Sequence, residues 1–493
     1  MKKFIFVFFA FFLFGHMAWA ATVAVVNDPG GYVAGQYFNQ EPKVIALIFG
    51  DDVLLISDAA INIPDAKILK ENVNREQLYL VRDKRSMSER IGYEVIYARN
   101  GVSLAVVRNA EILEAEPLVK LRRVISGMVV IQKPPKTKGE PDPVVQQTIE
   151  RLEETEYSSV LQALSVNYDT RYACSDEAAD VKDWIEEKFT SLGYQTDVQP
   201  FNNFCNPCKQ QNGFNVIAIK PGKTRPDDFY LAGAHDDSMS GTPCSKAPGS
   251  NDNGSGAAGV LELARIFADL ETEGTLIFAA FSGEEEGMIG SNAFLQSLID
   301  QGIDDHIKGF VIMDMISFYQ SNYGASVEGS AGSAEQLAVL QQIADLAATY
   351  TNLEVETTTD YWGSDHQPLL DDGLAGVMYI ELDWYSYPYY HTAQDLFEYQ
   401  DTAYGLDMLK LAAAAMATWG VVLPSADDDS GDDDSGSDDD SGADDDVSDD
   451  DTESDNDDVS GDDDISDDDL IDDDSGLPAD DDDETGSQES CGC

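Results

Sequence analysis

Five short stretches carry side chains suited to holding a metal: His235 in AGAHDDS, Asp252 in GSNDNGSG, Glu284, Glu285 and Glu286 in FSGEEEG, Asp314 in VIMDMIS, and His391 in YYHTAQD. The whole chain has only five histidines, so finding two of them in dense acidic or aromatic surroundings is informative. Imidazole nitrogen and carboxylate oxygen suit a divalent zinc ion, and a catalytic zinc keeps one position open for water. Two His and three carboxylates can hold two zincs if one carboxylate bridges them, and a pair about 3.5 to 4 Å apart polarises a carbonyl while activating a shared water. A further carboxylate outside the ligand set must then take that water's proton. Adjacent glutamates offer this division, one side chain on the metal and its neighbour toward the water. Taken singly, each residue has a plainer reading. A lone Asp in NDNG is usually a turn residue, and either His alone would be an ordinary hydrogen-bonded one. Asp314 resists this, because a strand-end carboxylate flanked by apolar residues needs a cation or several donors.

The elements around these stretches explain how they would meet. From about residue 146 strands and helices alternate. DFYLAGAH at 228–235, GTLIFAAF at 274–281, KGFVIMDMI at 308–316 and a run near 375–382 read as strands. Helical spacing covers 146–165, 175–193, 255–270, 334–350 and 403–419. This alternation predicts an α/β fold, a three-layer αβα domain with a mixed, mostly parallel central sheet. Ligands in such folds gather beyond the carboxyl ends of the strands, where His235, the glutamates and Asp314 fall.

The rest of the chain divides by composition. Residues 1–20, MKKFIFVFFAFFLFGHMAWA, have two lysines, an apolar core and a small-x-small ending, the layout of a secretory signal peptide cleaved after Ala20. This predicts a secreted, extracellular protein, with no transmembrane segment in the mature chain. Residues 21–140 are rich in short strand-like runs broken by turns such as Asn100-Gly101. They predict a small β-rich domain, and it contains no His or Cys. KPPKTKGEPDP at 133–143 reads as an exposed linker, and the catalytic domain is expected over 141–424. Residues 425–493 hold 34 of the 93 acidic residues and none of the 30 basic ones, so a net charge of −63 becomes −29 for the remainder. This Asp/Ser/Gly-rich tail is expected to be disordered; it ends in Cys-Gly-Cys, a candidate point of cell-surface association. It lacks the alternating pattern of a calcium loop. An acidic body argues against nucleic acid as a partner. Six cysteines, Cys174, Cys205, Cys208, Cys244, Cys491 and Cys493, fit disulfides in an oxidising compartment, their pairing open. Cys244 is expected in a disulfide rather than as a nucleophile.

HDDS at 235–238, NDNGSG at 251–256, EEEGMIGS at 284–291, MDMI at 313–316 and YH at 390–391 follow one another in an order and spacing that resemble the zinc aminopeptidases of metallopeptidase family twenty-eight, of the secreted bacterial leucyl type. The resemblance covers roughly residues 146–423. It implies that His235 and Asp314 bind one zinc, Glu285 and His391 the other, and that Asp252 bridges them. It makes Glu284 the general base, Tyr390 the oxyanion donor, and Asp237 the carboxylate that orients the His235 ring. It further implies peptide N-termini as substrate, with an apolar first residue as the default, and a pro-segment in the N-terminal β domain. Glu286 stands where family members commonly have Leu. It is expected to face solvent or the cleft rim and to favour basic over acidic peptides. His366 is expected either to line the cleft or to serve structure, and His306 to lie on the surface. The rivals are a carboxypeptidase or glutaminyl cyclase of the same fold, and a non-catalytic surface binding module. The last predicts loss of a ligand or of the base, and none is missing.

Overall fold

In the computed structural model the described residues are 20–29, 44–85, 89–125, 128–136, 138–202, 208 and 212–423. The signal peptide apart from Ala20, the acidic tail, and Cys205, Cys491 and Cys493 lie outside them. Among the described residues no helix is long and apolar enough to cross a membrane.

Among the described residues nine strands form before residue 132: β1 (Ala20–Asn27), β2 (Val44–Phe49), β3 (Asp52–Ser57), β4 (Lys67–Asn74), β5 (Leu78–Asp83), β6 (Tyr93–Arg99), β7 (Val102–Val107), β8 (Val119–Arg123) and β9 (Met128–Ile131). They make a five-stranded sheet in the order β4-β1-β3-β2-β9 and a four-stranded sheet in the order β6-β7-β5-β8. Phe49, Leu54, Leu80, Leu104 and Ile131 pack into one core between them. The β6–β7 hairpin turns on Asn100 (φ 46°) and Gly101 (φ 68°), two left-handed positions in succession, which the Asn-Gly pair adopts at little cost.

Eight strands follow: β10 (Gln195–Asn202), β11 (Asn212–Lys220), β12 (Arg225–His235), β13 (Gly274–Phe281), β14 (Ile307–Met313), β15 (Gly324–Glu328), β16 (Glu354–Thr358) and β17 (Gly376–Glu381). They form one mixed sheet, β10-β11-β13-β12-β14-β17-β15-β16. β12 pairs in parallel with both β13 and β14, as do β14 with β17 and β15 with β16. The outer pairings β10–β11 and β11–β13, and β15–β17, are antiparallel. All eight residues of β13 are buried, which is why GTLIFAAF is a continuous apolar run: a central strand between two helical layers is covered on both faces. Its alternate residues prove it. Leu276, Phe278 and Ala280 enter one core with the helices Glu154–Val166, Gly256–Phe267 and Thr402–Gly420. Ile277, Ala279 and Phe281 enter the other, with the helix Ile289–Gln301. The two helical layers thus sandwich the sheet, with the helix Gly256–Phe267 buried at every position but Arg265.

Side-chain caps set three of the helix starts. The Asp142 side chain accepts from the amides of Val144 and Val145 ahead of Pro143, satisfying donors the first turn leaves free. Ser333 and Asp401 do the same for the helices Ala334–Tyr350 and Thr402–Gly420. The predicted helix over 146–165 is in fact two, Pro143–Ile149 and Glu154–Val166. The N-terminal strands abut the large sheet through a bridge in which Gln132 and Thr357 exchange backbone hydrogen bonds of 2.8 and 2.7 Å.

Candidate metal centre

The carboxyl ends of β12, β13 and β14, three neighbours in the sheet, deliver the site. His235 is the last residue of β12, Asp314 follows β14, and Glu284 and Glu285 stand three and four residues past β13. Parallel strands bring these ends to one edge. Asp252 arrives from the turn that leads into the helix Gly256–Phe267. That turn is clamped to β14: Asn253 Nδ2 donates to the Met313 carbonyl at 2.9 Å, and Asn253 Oδ1 accepts from the amides of Gly256 at 2.9 Å and Met315 at 3.1 Å. Gly256 must be glycine, since a Cβ there would lie 2.5 Å from Asn253 Oδ1 and 2.7 Å from the Met313 carbonyl oxygen. The Asp252–Asn253 peptide bond is cis. The Asp395 carboxylate fixes the turn from the other side, taking the amides of Asn251 and Asp252 at 2.9 Å each and the Tyr387 hydroxyl at 2.6 Å.

Two triads result, and they share Asp252. His235, Asp252 and Asp314 each offer an atom within 4.8 Å of the others, and so do Asp252, Glu285 and His391. His235 Nε2 lies 3.5 Å from both Asp252 Oδ1 and Asp314 Oδ1. His391 Nε2 lies 3.2 Å from Asp252 Oδ2 and 3.1 Å from Glu285 Oε2. Asp237 is completely buried. Its carbonyl lies 3.1 Å from His235 Nδ1, with a carboxylate oxygen 3.5 Å away, which leaves Nε2 facing the triad. The same carboxylate accepts from the amides of Glu284 at 3.2 Å and Glu285 at 3.4 Å, so one side chain aligns both a histidine and the glutamate pair. His391 holds φ 55°, a left-handed backbone that costs a non-glycine residue energy and that clusters at functional sites. The Tyr390 ring stacks on the His391 ring at 3.9 Å, and Tyr390 lines the cavity with Asp252, Glu284, Glu285 and Asp314.

The charge balance in this space is unfavourable without a cation. Burial pushes the Glu285 carboxyl up to about 7 against the pull of His391, and raises Glu284 against the charges of Lys84 and His235. Burial would lower His235, but Glu284, Asp237 and Asp314 carry it well above its ordinary value. Glu285 Oε1 is buried and has no hydrogen-bond partner. Burial is the larger cause for both glutamates, and the neighbouring carboxylates add to it. The donor set, imidazole nitrogens plus carboxylates with one oxygen free, fits zinc in each triad.

Of the two places expected for Glu286, solvent or the cleft rim, it takes the second: both carboxylate oxygens are buried, and the residue lines a cavity with Glu284, Glu285 and His391. It sits beside Tyr172, Asp237 and Glu285, and burial pushes it up to about 9. His366 is fully buried with Nε2 3.6 Å from Glu328. His306 is half-buried and packs edge-on against Phe229 at 5.2 Å. Cys244 pairs with Cys208, and Cys174 is also disulfide-bonded.

Three contributors had no signal in the spacing of motifs. Lys84, the residue after β5, reaches from the N-terminal sheets to place Nζ 3.3 Å from Glu284 Oε1. Arg82 forms a two-pronged pair with Glu328 at the end of β15. Trp384 walls the same cavity and covers Gly101 so closely that a Cβ there would lie 2.0 Å from the indole. A cationic VRDKR in an acidic body was the one available hint.

Residues 215–416 match the profile of "Peptidase family M28". A "Probable zinc metalloprotease" of Pyrenophora tritici-repentis is 24% identical over 290 residues, spanning 49% of this chain and 66% of that protein. This chain therefore covers just under two thirds of that relative. A "Leucine aminopeptidase 1" of Fusarium vanettenii is 28% identical over 305 residues, 57% of this chain and 74% of that one. In fold, the chain is similar to the LapA aminopeptidase of Legionella pneumophila, with a TM-score of 0.50 at 17% identity over 70% of this chain and 99% of the other. The stretch 215–416, which matches that family's profile, contains both triads and Glu284.

Proposed function

We propose that this protein is a secreted two-zinc aminopeptidase that removes N-terminal residues from peptides. The observation that carries the reading is the pair of triads sharing Asp252, with Glu284 beside them and outside both. His235 and Asp314 would hold one ion, Glu285 and His391 the other, and Asp252 both. Ions held there supply Lewis acidity, lowering the pKa of water and polarising the scissile carbonyl. Glu284 takes the proton from the attacking water and delivers it to the leaving amine; burial, which raises its pKa, suits it to carry that proton. Tyr390, which lines the cavity, would donate its hydroxyl to the oxyanion that develops at the carbonyl. Asp237 keeps His235 and the glutamate backbone in register, as the outer partner of a metal-bound histidine does.

The N-terminal β region is a cover for this site in the same proposal. Lys84 pairs with the residue that must accept the proton, so the uncut chain is held back until the segment leaves, and the exposed linker at 133–143 is the place for a cut. The signal peptide, the secreted location and surface association through the acidic tail complete the reading.

The test is hydrolysis of leucyl-4-nitroanilide and its N-acetylated counterpart by the full chain before and after a cut in the linker, for wild type and Glu284→Gln, with zinc content measured on each sample. Cleavage of the free-amine substrate alone, about two zincs bound, and a loss of roughly 10² to 10⁴ in Glu284→Gln with zinc retained are expected. Zinc without cleavage would redirect the reading to a carboxypeptidase or cyclase, and neither zinc nor cleavage to a binding module.

A further inference from the structure

The contact between β5 and the metal cleft has the form of a bound ligand. Arg82 Nη1 and Nη2 donate to Glu328 Oε2 and Oε1 at 2.9 and 2.7 Å, with the two side chains only 8% and 5% exposed. Burial would raise the Glu328 carboxyl, but Arg82, by its charge and hydrogen bonds, and the His366 ring 3.6 Å away hold it down to about 2. The Trp362 amide donates to it at 3.1 Å. Glu328, Arg82 and Lys84 line one cavity with the candidate ligands, and the other walls are largely apolar, including Met378 and Ile380. A second cavity lined by Leu118, Met288 and Trp362 also reaches Lys84, Glu284 and His391.

Arg82 and Lys84 stand two residues apart on extended backbone, so they leave the chain on the same side, about 7 Å apart. One meets a carboxylate at the far end of the cavity and the other meets the candidate base. A peptide with N-terminal arginine or lysine carries the same two cations, the α-amine and the side-chain group. A buried carboxylate that loses a two-pronged arginine is left with an uncompensated charge unless another cation takes the place.

We propose that Glu328 is the specificity-determining carboxylate of this site and that it selects a guanidinium or ammonium side chain in the substrate, with Arg82 occupying that subsite in the uncut chain. The inference rests on the aminopeptidase reading for its meaning as specificity, and it replaces the apolar default with N-terminal Arg or Lys. The plainer alternative is that Arg82–Glu328 only ties two parts of the chain together.

The test vacates the subsite in the full chain with Arg82→Ala/Lys84→Ala in a Glu284→Gln background, so that the amides bind without turnover. Binding of L-argininamide and L-norleucinamide is measured by calorimetry, with and without Glu328→Gln added. Argininamide binding at least about tenfold tighter than norleucinamide, a ratio falling to near one with Glu328→Gln, is expected for a charge-assisted two-pronged contact. Equal binding of the two amides, or a preference that survives Glu328→Gln, overturns the proposal. Glu328→Gln alone gives a second reading that does not depend on the double variant folding. After the linker cut, its arginyl-to-leucyl ratio of kcat/KM on 4-nitroanilides should drop about tenfold through KM, and an unchanged ratio overturns the proposal. If no amide is cleaved by any form yet argininamide binding still depends on Glu328, the aminopeptidase reading falls and the subsite stands.

Discussion

Gly101 offers a sharp test of how the N-terminal strands sit on the cleft. It occupies φ +68° at the tip of the β6–β7 hairpin, and a Cβ built there would lie 2.0 Å from Trp384 Cζ2 and 2.7 Å from Cε2. Gly101→Ala therefore meets two costs. The left-handed backbone costs an alanine about 1 to 2 kcal/mol, and forcing a methyl against a ring that cannot retreat costs about 1 to 3 kcal/mol more. Gly193 separates the two, because it holds φ +88° with nothing within 4 Å of its Cβ position. Gly193→Ala should bear the backbone cost alone. Urea unfolding of the full chain, compared at equal slope, measures both variants against wild type. The expected result is that Gly101→Ala loses about 1 to 3 kcal/mol more than Gly193→Ala. Trp384 also walls the cavity, so leucyl-4-nitroanilide turnover by the uncut chain should change in Gly101→Ala and stay level in Gly193→Ala. Equal losses in the two variants would refute the close seating of the hairpin on Trp384.

Lys84→Met in the uncut chain should raise leucyl-amide turnover about tenfold or more, since it frees a general base whose removal is worth at least that much; turnover at the wild-type level would remove the cover from the account. Asp395→Asn keeps the shape but leaves one amide of the Asn251-Asp252 pair without a carboxylate oxygen, so zinc affinity should fall about 10- to 100-fold in a chelator competition, and an unchanged affinity would show that the turn holds itself. The Glu328 carboxyl is depressed to about 2 from an ordinary 4.5. Its contribution is therefore present above pH 4.5 and lost as pH falls through about 2. The urea midpoint of wild type should slope down across that window more steeply than that of Glu328→Gln, and parallel slopes would deny the pairing with Arg82.

Much of the centre was legible because its chemistry is local. Each ligand but His391 stands at the end of a recognisable strand or in a glycine-bounded turn, and residue type restricts what HDDS, NDNG and EEEG can do. The eight buried residues of β13 read as a strand because apolar character is demanded on both faces. The left-handed Asn100-Gly101 turn was readable for the same reason, since few other pairs adopt two positive φ values in succession.

What escaped the sequence depends on contacts between distant parts of the chain. Lys84 and Glu284 are 200 positions apart, and Arg82 and Glu328 are 246 apart; periodicity and motif spacing carry no information about such pairings. For Glu286 solvent and the cleft rim were both open from the sequence, and only packing beside Tyr172 and Asp237 sets it against the cleft. Asp395 looked like an ordinary residue four positions past His391 until the fold set its two oxygens on the Asn251 and Asp252 amides. The sequence by itself thus determined the kinds of ligand, their order and the sheet that presents them, because those follow from local chemistry and hydrophobic pattern. Which cations occupy the cleft, and hence what covers it and which side chain it selects, was decided only by the tertiary structure, because a buried charge is compensated by whatever the fold brings beside it.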